Sequence, residues 1–264
     1  MNFKNKVVWI TGASSGIGKE LAIALKSQGA KLILSSRKRE KLYQLKQALK
    51  TDPINTHILS LDLTDKQTLA LKSEEAWRIY GYIDILIHCG GISQRSLGLE
   101  TSLEVEQQIL DTNYWGTVIL SKNIIPRMIE NGSGHVVIIS SLMGKFGTQY
   151  RTSYAASKHA LHGYFDSLRC EVYDKGIDIS IICPGFVNTD ITKNSLTANG
   201  EKYERSDDFQ LNGISPKECA LQILKAIEKK KEEVIIAGKE KWGVILKRFF
   251  PAYFSKMIRK RKVI

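Results

Sequence analysis

Short apolar runs alternate with longer amphipathic segments along most of the chain. Nearly unbroken apolar runs of about four to seven residues are typical of parallel strands that are covered on both faces of a sheet. They predict strands at Lys6–Thr11, Lys31–Ser36, His57–Leu61, Ile83–Cys89, His135–Ser140, Ile177–Cys183 and Glu233–Ile236.

The segments between these strands have the spacing of apolar residues that is typical of helices. Such an alternation of strand and helix predicts parallel strands joined by right-handed crossovers, with helices on both faces. We therefore expect an α/β fold, a single doubly wound Rossmann-like domain with a seven-stranded parallel sheet. The helices are expected at about Gly16–Ser27, Glu40–Lys50, Lys66–Tyr80, Leu103–Glu130, Tyr154–Tyr173 and Pro216–Lys230.

The formal net charge is +12, and eight cations without any acid follow Glu240. Residues 241–264 interleave these cations with aromatic residues, which predicts a basic amphipathic extension beyond a domain at 1–240. Such an extension suits an anionic membrane surface and equally suits a partner subunit. Nucleic acid is not an expected partner, because the rest of the chain is much less basic.

The four cysteines are far apart and form no metal-binding or disulfide pattern, so no metal site is expected. The first apolar run meets Gly12 too early for a signal peptide. These features favour a reducing compartment. We expect a cytoplasmic protein, with peripheral membrane contact as an option for residues 241–264.

A glycine-rich turn joins the first strand to the first helix. Its glycines permit a tight turn and a close approach of a pyrophosphate to the backbone, while the helix presents free N–H groups to the anion. A strand before the turn and an amphipathic helix after it make this pattern specific for a dinucleotide. The residues expected to bind the pyrophosphate are Gly12, Ser14, Ser15, Gly16, Ile17 and Gly18.

The second strand ends without an acid and runs into Ser36, Arg37 and Lys38. A carboxylate here would favour the ribose hydroxyl of NAD, whereas cations suit the 2′-phosphate of NADP. The alternative is a set of solvated cations at a helix start. Asp62, after the third strand, has two equal interpretations, as an acceptor for adenine or as the N-cap of the next helix.

Ser141 follows the fifth strand, and Tyr154 and Lys158 are four residues apart in the next predicted helix. This spacing places the phenol and the ammonium on one helix face. The unperturbed pKa of a tyrosine is about 10, and a neighbouring ammonium favours the phenolate. The three residues therefore predict proton transfer by Tyr154 with assistance from Lys158.

These motifs resemble the short-chain dehydrogenase/reductase family over about residues 5–237. The resemblance implies that Tyr154 exchanges a proton with the substrate oxygen, that Ser141 hydrogen-bonds that oxygen, and that Lys158 also holds the nicotinamide ribose. It further implies that Asn113 supports a proton-relaying water and that Thr189 orients the carboxamide. The other cofactor contacts implied are Leu63, Cys89, Gly90, Pro184, Gly185 and Val187, and Tyr154 and Lys158 belong to the same set.

Three stretches, Gly91–Ser96, Tyr154–Ala160 and Leu196–Gly200, are similar to the branch of this family that contains members 7 and 7B. That similarity implies an apolar or lipid-like substrate. Residues 190–212 are polar and are expected to form a substrate lid, with a plain surface connection as the alternative. The family also suggests a homodimer or homotetramer built through the helices Leu103–Glu130 and Tyr154–Tyr173.

The sequence therefore predicts an NADP(H)-dependent oxidoreductase that interconverts a carbonyl and a secondary or primary alcohol. One departure supports an alternative. The family usually has asparagine where this chain has Cys89, and a thiol cannot make the hydrogen bonds of an amide. The alternative function is a catalytically silent NADP(H)-binding protein with a regulatory or scaffolding role.

Overall fold

The computed structural model describes residues 3–50 and 53–260. In this part of the chain seven parallel strands form one sheet in the order β3-β2-β1-β4-β5-β6-β7. The order reverses between β1 and β4, which creates the crevice where ligands of such sheets bind. The strands are β1 (Val7–Thr11), β2 (Lys31–Ser35), β3 (Thr56–Ile58), β4 (Ile85–His88), β5 (Gly134–Ile139), β6 (Ile177–Pro184) and β7 (Glu233–Ile236).

Helices cover both faces of this sheet, as the alternating pattern predicts. The doubly wound α/β fold is thus confirmed. The helices are α1 (Gly16–Ser27), α2 (Arg39–Ala48), α3 (Leu69–Tyr80), α4 (Leu103–Leu110), α5 (Gly116–Glu130), α6 (Thr152–Val172), α7 (Asp208–Leu211), α8 (Pro216–Glu228), α9 (Trp242–Phe249) and α10 (Pro251–Lys260).

The core lies in two layers because the side chains of each strand alternate between the faces of the sheet. Val8 and Ile10 of β1 pack with α1 and α8 on one face. Val7 and Trp9 of the same strand pack with α3, α5 and α6 on the other face. The indole N–H of Trp9 is satisfied by Ser35 Oγ at 2.9 Å. Both faces of the sheet are therefore buried, which explains why the strands are continuously apolar.

Two helices differ clearly from the sequence prediction. The helix expected at Leu103–Glu130 is divided by a π-helical turn at Asp111–Trp115, which separates α4 from α5. Helix α3 begins at Leu69 rather than near Lys66. Asp62 is therefore not its N-cap; its carboxylate instead accepts the backbone N–H of Thr64 at 2.9 Å.

The C-terminal residues form two short helices, α9 and α10, with Pro251 at the start of the second. Phe254 of α10 is 3% exposed and packs edge-on against Phe146, with ring centroids 5.1 Å apart. Among the described residues, no helix is long and apolar enough to cross a lipid bilayer.

Candidate active site

A cavity of about 710 Å³ lies at the carboxyl ends of the strands. It is lined by most of the residues that the sequence assigns to the nucleotide and to catalysis. Gly18 and Asn113 are the two assigned residues that are not part of its lining. The assigned residues that line it are Gly12, Ser14, Ser15, Gly16, Ile17, Ser36, Arg37, Lys38, Asp62, Leu63, Cys89, Gly90, Ser141, Tyr154, Lys158, Pro184, Gly185, Val187 and Thr189.

The glycine-rich turn packs directly on the end of β4. Gly12 has φ +69°, and a Cβ atom there would lie 2.6 Å from the backbone nitrogen of Gly90. A Cβ atom at Gly18 would lie 2.4 Å from the carbonyl oxygen of Gly12. Gly18 therefore does not line the cavity. Its lack of a side chain allows α1 to pack against the turn. These contacts leave the backbone of the turn facing the cavity at the start of α1.

The first turn of α1 contains Gly16, Ile17, Gly18 and Lys19, and no acid. Free N–H groups and the positive end of the helix dipole make such a helix start suitable for a pyrophosphate. The Lys19 N–H is an exception, because it donates to the Ser15 carbonyl at 3.2 Å. Cys89 lines the cavity beside Gly90, and burial raises the pKa of its thiol to about 12, which keeps it protonated.

The cations after β2 lie at one end of the cavity. The backbone N–H of Lys38 donates to Ser36 Oγ at 3.1 Å, and the Arg37 guanidinium lies 4.0 Å from the Asp62 carboxylate. The pKa of Lys38 is lowered, first by burial and then by the charges of Lys41, Lys202 and Arg37. Lys202, which belongs to residues 190–212, also lines the cavity. Sequence reasoning missed Lys202, since it is far from the others along the chain.

Cations at this end of the cavity suit a phosphate, which accepts charge-assisted hydrogen bonds. The glycine turn and the cation cluster therefore fit the phosphates of a dinucleotide. The residues that would hold the nucleotide are the turn 12–18 and Ser36, Arg37, Lys38 and Lys202.

Tyr154 lies near the start of α6 and is 8% exposed, at the cavity. Its ring centroid lies 5.8 Å from Lys158 Nζ, and its side chain is hydrogen-bonded to Ser141. Lys158 Nζ donates to the Ile139 carbonyl at 2.8 Å, which fixes the ammonium beneath the end of β5. The structure thus brings the three residues together around one point in the cavity.

The electrostatics of Tyr154 differ from the sequence interpretation, which assigned the pKa-lowering charge to Lys158. Burial is the largest effect and raises the pKa of Tyr154. The hydrogen bond with Ser141 and the charges of Arg151 and Arg95 lower it. Burial lowers the pKa of Lys158 to about 8, so its ammonium is itself destabilised.

Asn113 lies in the π-helical turn and is 1% exposed. Its amide donates to the Ile92 carbonyl and to Ser157 Oγ, both at 2.9 Å, and its side-chain oxygen accepts the Ile92 N–H at 2.9 Å. The side chain therefore links the segment after β4 to α6. It holds the cavity wall together and has no direct contact with the cavity.

Sequence reasoning also missed a buried ionic cluster. Arg95 follows β4, Arg151 precedes α6, and Asp207 lies in residues 190–212. Arg95 Nη2 lies 2.8 Å from Asp207 Oδ2, and Arg151 Nη2 lies 3.6 Å from the same oxygen. Both arginines line the cavity. No local motif could have revealed this cluster, because its members come from three distant segments.

The C-terminal helices supply the apolar part of the lining. Glu240, just before them, accepts the backbone N–H of Phe186 at 3.2 Å, which anchors the extension next to β6. The lining on this side consists of Phe146, Trp242, Leu246, Phe254, Met257 and Ile258.

Comparison with known proteins agrees with this geometry. The short chain dehydrogenase family model matches residues 6–200. Dehydrogenase/reductase SDR family member 7B from Danio rerio is 38% identical over 267 aligned positions, covering 98% of this chain and 86% of that protein.

Two solved structures share the fold. A short chain dehydrogenase/reductase from Burkholderia phymatum, in complex with NAD, matches with a TM-score of 0.84 and 20% identity, covering 100% of this chain and 98% of that one. A short chain dehydrogenase from Burkholderia cenocepacia, in complex with NADP, has a TM-score of 0.80 and 21% identity, covering 99% and 100%. This chain belongs to the short-chain dehydrogenase/reductase family of oxidoreductases, in its 7B-like branch.

Proposed function

We propose that this chain is an NADP(H)-dependent oxidoreductase that interconverts a carbonyl and a primary or secondary alcohol. The observation that carries the proposal is the convergence of Ser141, Tyr154 and Lys158 on the cavity that also contains the glycine-rich turn. The bound nucleotide supplies the hydride chemistry. The protein positions the carbonyl and moves the proton.

In the reduction direction, Tyr154 donates its hydroxyl proton to the substrate oxygen while the carbonyl carbon accepts hydride. Ser141 hydrogen-bonds the same oxygen, since its hydroxyl already reaches the Tyr154 side chain. Lys158, held on the Ile139 carbonyl, provides positive charge near the phenolate that remains. In the oxidation direction the phenolate of Tyr154 removes the proton from the alcohol.

NADP(H) is favoured over NAD(H) by the cations near Ser36. Arg37, Lys38 and Lys202 form the cluster described above, and no carboxylate follows Ser35 at the end of β2. An apolar or lipid-like substrate is favoured by the wall formed by Leu246, Phe254 and the neighbouring apolar side chains.

The test is oxidation of NADPH and of NADH against a panel of ketones, aldehydes and acylated ketone phosphates. Tyr154→Phe is expected to lower turnover about 10²–10⁴-fold, because it removes the proton donor, while NADPH binding stays unchanged. Tyr173→Phe is the matched control, because Tyr173 is 77% exposed at the end of the same helix. Turnover that survives Tyr154→Phe would refute the assigned role.

The catalytically silent alternative rests on Cys89. Cys89 lines the cavity beside Gly90, so both functions are compatible with nucleotide binding at this position. The convergence of Ser141, Tyr154 and Lys158 on the same cavity favours the enzyme over the silent protein. Measurable NADPH binding without turnover on the whole panel would reverse that preference.

We also propose that residues 1–240 form the catalytic unit, that residues 190–212 act as the substrate lid, and that residues 241–264 contact a membrane surface. In a cytoplasmic protein this contact would be peripheral. The outer side of α9 and α10 exposes large apolar side chains beside the cations of the extension. The exposed residues on this side are Ile245, Phe249, Phe250 and Tyr253.

An anionic bilayer satisfies both the apolar surface and the positive charge. A symmetric contact between two copies through the extension would instead place its cations against the same cations of the other copy, and these would repel each other. The homodimer or homotetramer that we propose is therefore placed on α4, α5 and α6, away from the extension. Cosedimentation with vesicles of neutral lipid alone and mixed with anionic lipid tests the membrane contact, and equal retention by both would refute its electrostatic part.

A further inference from the structure

The ionic cluster of Arg95, Arg151 and Asp207 has unequal charge. Two guanidinium groups share one carboxylate, and all three residues are at most 7% exposed. Burying an uncompensated charge is costly, so an extra cation in such a place requires a functional or structural reason. The electrostatic cost of the extra cation affects Arg151. Its pKa is lowered to about 10, mainly by burial and next by the charge of Arg95.

The guanidinium groups are held in place by several neutral acceptors. Arg95 donates from Nη1 to the Gln94 carbonyl at 3.1 Å and from Nη2 to Thr192 Oγ1 at 3.2 Å. Arg151 donates to Thr148 Oγ1 at 3.4 Å. These hydrogen bonds hold the two guanidinium groups at the cavity wall, although the single carboxylate cannot neutralise both charges.

The anion of the cluster comes from residues 190–212. Asp207 Oδ1 accepts the Gln210 N–H at 2.7 Å, while Oδ2 faces the two arginines. The backbone N–H of Arg95 also donates to the Leu196 carbonyl at 2.8 Å. The cluster therefore ties this segment to the start of α6, three residues before Tyr154.

Tyr154 is the ionisable group on which the excess positive charge acts. After burial and the Ser141 hydrogen bond, the charges of Arg151 and Arg95 are the effects that shift its pKa, and both lower it. The effect is mutual, because the charge of Tyr154 raises the pKa of Arg151. The phenol of Tyr154 and the excess positive charge of the cluster are thus electrostatically coupled.

We propose that Arg95 and Arg151 are positioning residues that stabilise the phenolate of Tyr154, and that Asp207 limits this effect from the lid. This inference rests on the proposed function, in which Tyr154 exchanges a proton with the substrate. When Tyr154 gives its proton to the substrate oxygen, the negative charge left on the phenol offsets the positive charge of the cluster. Because Asp207 belongs to residues 190–212, this segment thereby adjusts the acidity of the catalytic proton.

Other ionisable groups surround Tyr154 on the elements packed nearby. Lys158 lies one turn further along α6, and His162 on the same helix pairs with Ser140 and Lys145. Glu106 of α4 accepts the Ser153 hydroxyl at 2.7 Å. Their charges are unaltered in the variants proposed below, so a change in the pH profile reports on the cluster.

The experiment measures kcat/KM against pH in the alcohol-oxidation direction, where Tyr154 acts as phenolate. Arg151→Gln removes a cation and is expected to shift the profile towards alkaline pH by roughly one unit. Asp207→Asn removes the anion and is expected to shift it in the opposite direction by a similar amount. The asparagine oxygen still accepts the Gln210 N–H, so the local turn is preserved.

Two further variants serve as controls. Arg151→Lys keeps the charge and is expected to restore the wild-type profile, although KM rises because an ammonium lacks the guanidinium geometry. Arg78→Gln on α3 removes a surface guanidinium that is 2.8 Å from Glu74, and it is expected to leave the profile unchanged. Melting temperatures of all variants separate a loss of fold from a change of protonation.

A second readout does not require turnover. The tyrosinate absorbance of each variant is titrated, and the curve of the same variant carrying Tyr154→Phe is subtracted to isolate Tyr154 from the other nine tyrosines. Opposite shifts for Arg151→Gln and Asp207→Asn support the inference. Shifts of the same sign, or none, would overturn it and leave the proposed function standing if the wild type turns over. Absence of any wild-type turnover would instead count against the proposed function.

Discussion

The two ends of the cavity are built in different ways. The nucleotide end consists mainly of backbone from one continuous stretch, the turn between β1 and α1, placed against Gly90. The substrate end consists of side chains from segments far apart in sequence, including Arg95, Arg151 and Asp207. The first end needs glycines at fixed spacing, whereas the second needs only that the fold bring suitable side chains together.

This difference shows why chains with the same fold can share one cofactor site and differ in substrate. A backbone cradle cannot be altered by exchanging one side chain without strain. The other end can change through residues 190–212 or the C-terminal helices while the sheet stays unchanged. The predictions below test this contrast, beginning with the largest effect.

The first prediction concerns Gly12→Ala at the nucleotide end. The backbone at Gly12 has φ +69° and a Cβ would lie 2.6 Å from Gly90, so we expect both strain and a steric clash. Each costs about 1–3 kcal/mol, which together weakens nucleotide binding roughly a hundredfold or more. Gly132→Ala is the control, because Gly132 has φ +72° with no heavy atom within 4 Å. Equal nucleotide Kd values for both variants would show that the close approach is unimportant.

The second prediction concerns the C-terminal helices at the substrate end. Phe254→Ala removes a ring that is 3% exposed against Phe146, and about 3 kcal/mol of packing is expected to be lost. This loss of packing would appear as faster hydrogen exchange in α9 and α10 and as a higher KM for apolar substrates. Nucleotide binding is expected to stay unchanged.

Phe249→Ala provides the comparison within the same extension. Phe249 is 66% exposed, so its loss is expected to change stability by less than about 0.5 kcal/mol. It is expected to weaken retention on anionic vesicles, because apolar area on the outer side is removed. If Phe254→Ala and Phe249→Ala gave the same pattern, the assignment of an inner and an outer side would be wrong.

The third prediction returns to the nucleotide end and concerns the side chains proposed to favour NADP(H). Arg37→Ala is expected to raise the KM for NADPH roughly 10–100-fold through loss of a charge-assisted contact, and to leave the KM for NADH unchanged. Arg39→Ala is the control, since Arg39 is bonded to Tyr43 on the exposed face of α2. A parallel change for both nucleotides would contradict the assignment to the 2′-phosphate.

Much of the fold follows from periodicity. Buried parallel strands give continuous apolar runs, so β1 and β6 were predicted to within one residue at each end. The third strand proved shorter than predicted, Thr56–Ile58, although the N–H groups of Leu59 and Leu61 still donate to the carbonyls of Leu34 and Ser36. The π-helical turn at Asp111–Trp115 was missed, since a single wider turn is too short to be recognised in the spacing of the apolar residues.

The candidate site was predictable where chemistry is local. The residues 12–18, Ser36–Lys38 and the Tyr154–Lys158 pair are short motifs with a physical meaning, and the structure places most of them on one cavity. Lys202 and the three-residue ionic cluster were not predictable. Their partners lie more than 50 residues away along the chain, and a charged residue in a polar segment is ordinarily a solvated one.

Helix α10 faces the cavity on one side and the outer surface of the protein on the other. Phe254 on this helix lines the cavity, while its neighbour Tyr253 is 62% exposed on the outside. A ligand that binds on either side acts on the same rigid element. Thermodynamic reciprocity then requires that, if a bilayer tightens substrate binding by some factor, the substrate tightens attachment to the bilayer by the same factor. The enzyme would then remain longest where its substrate is most abundant.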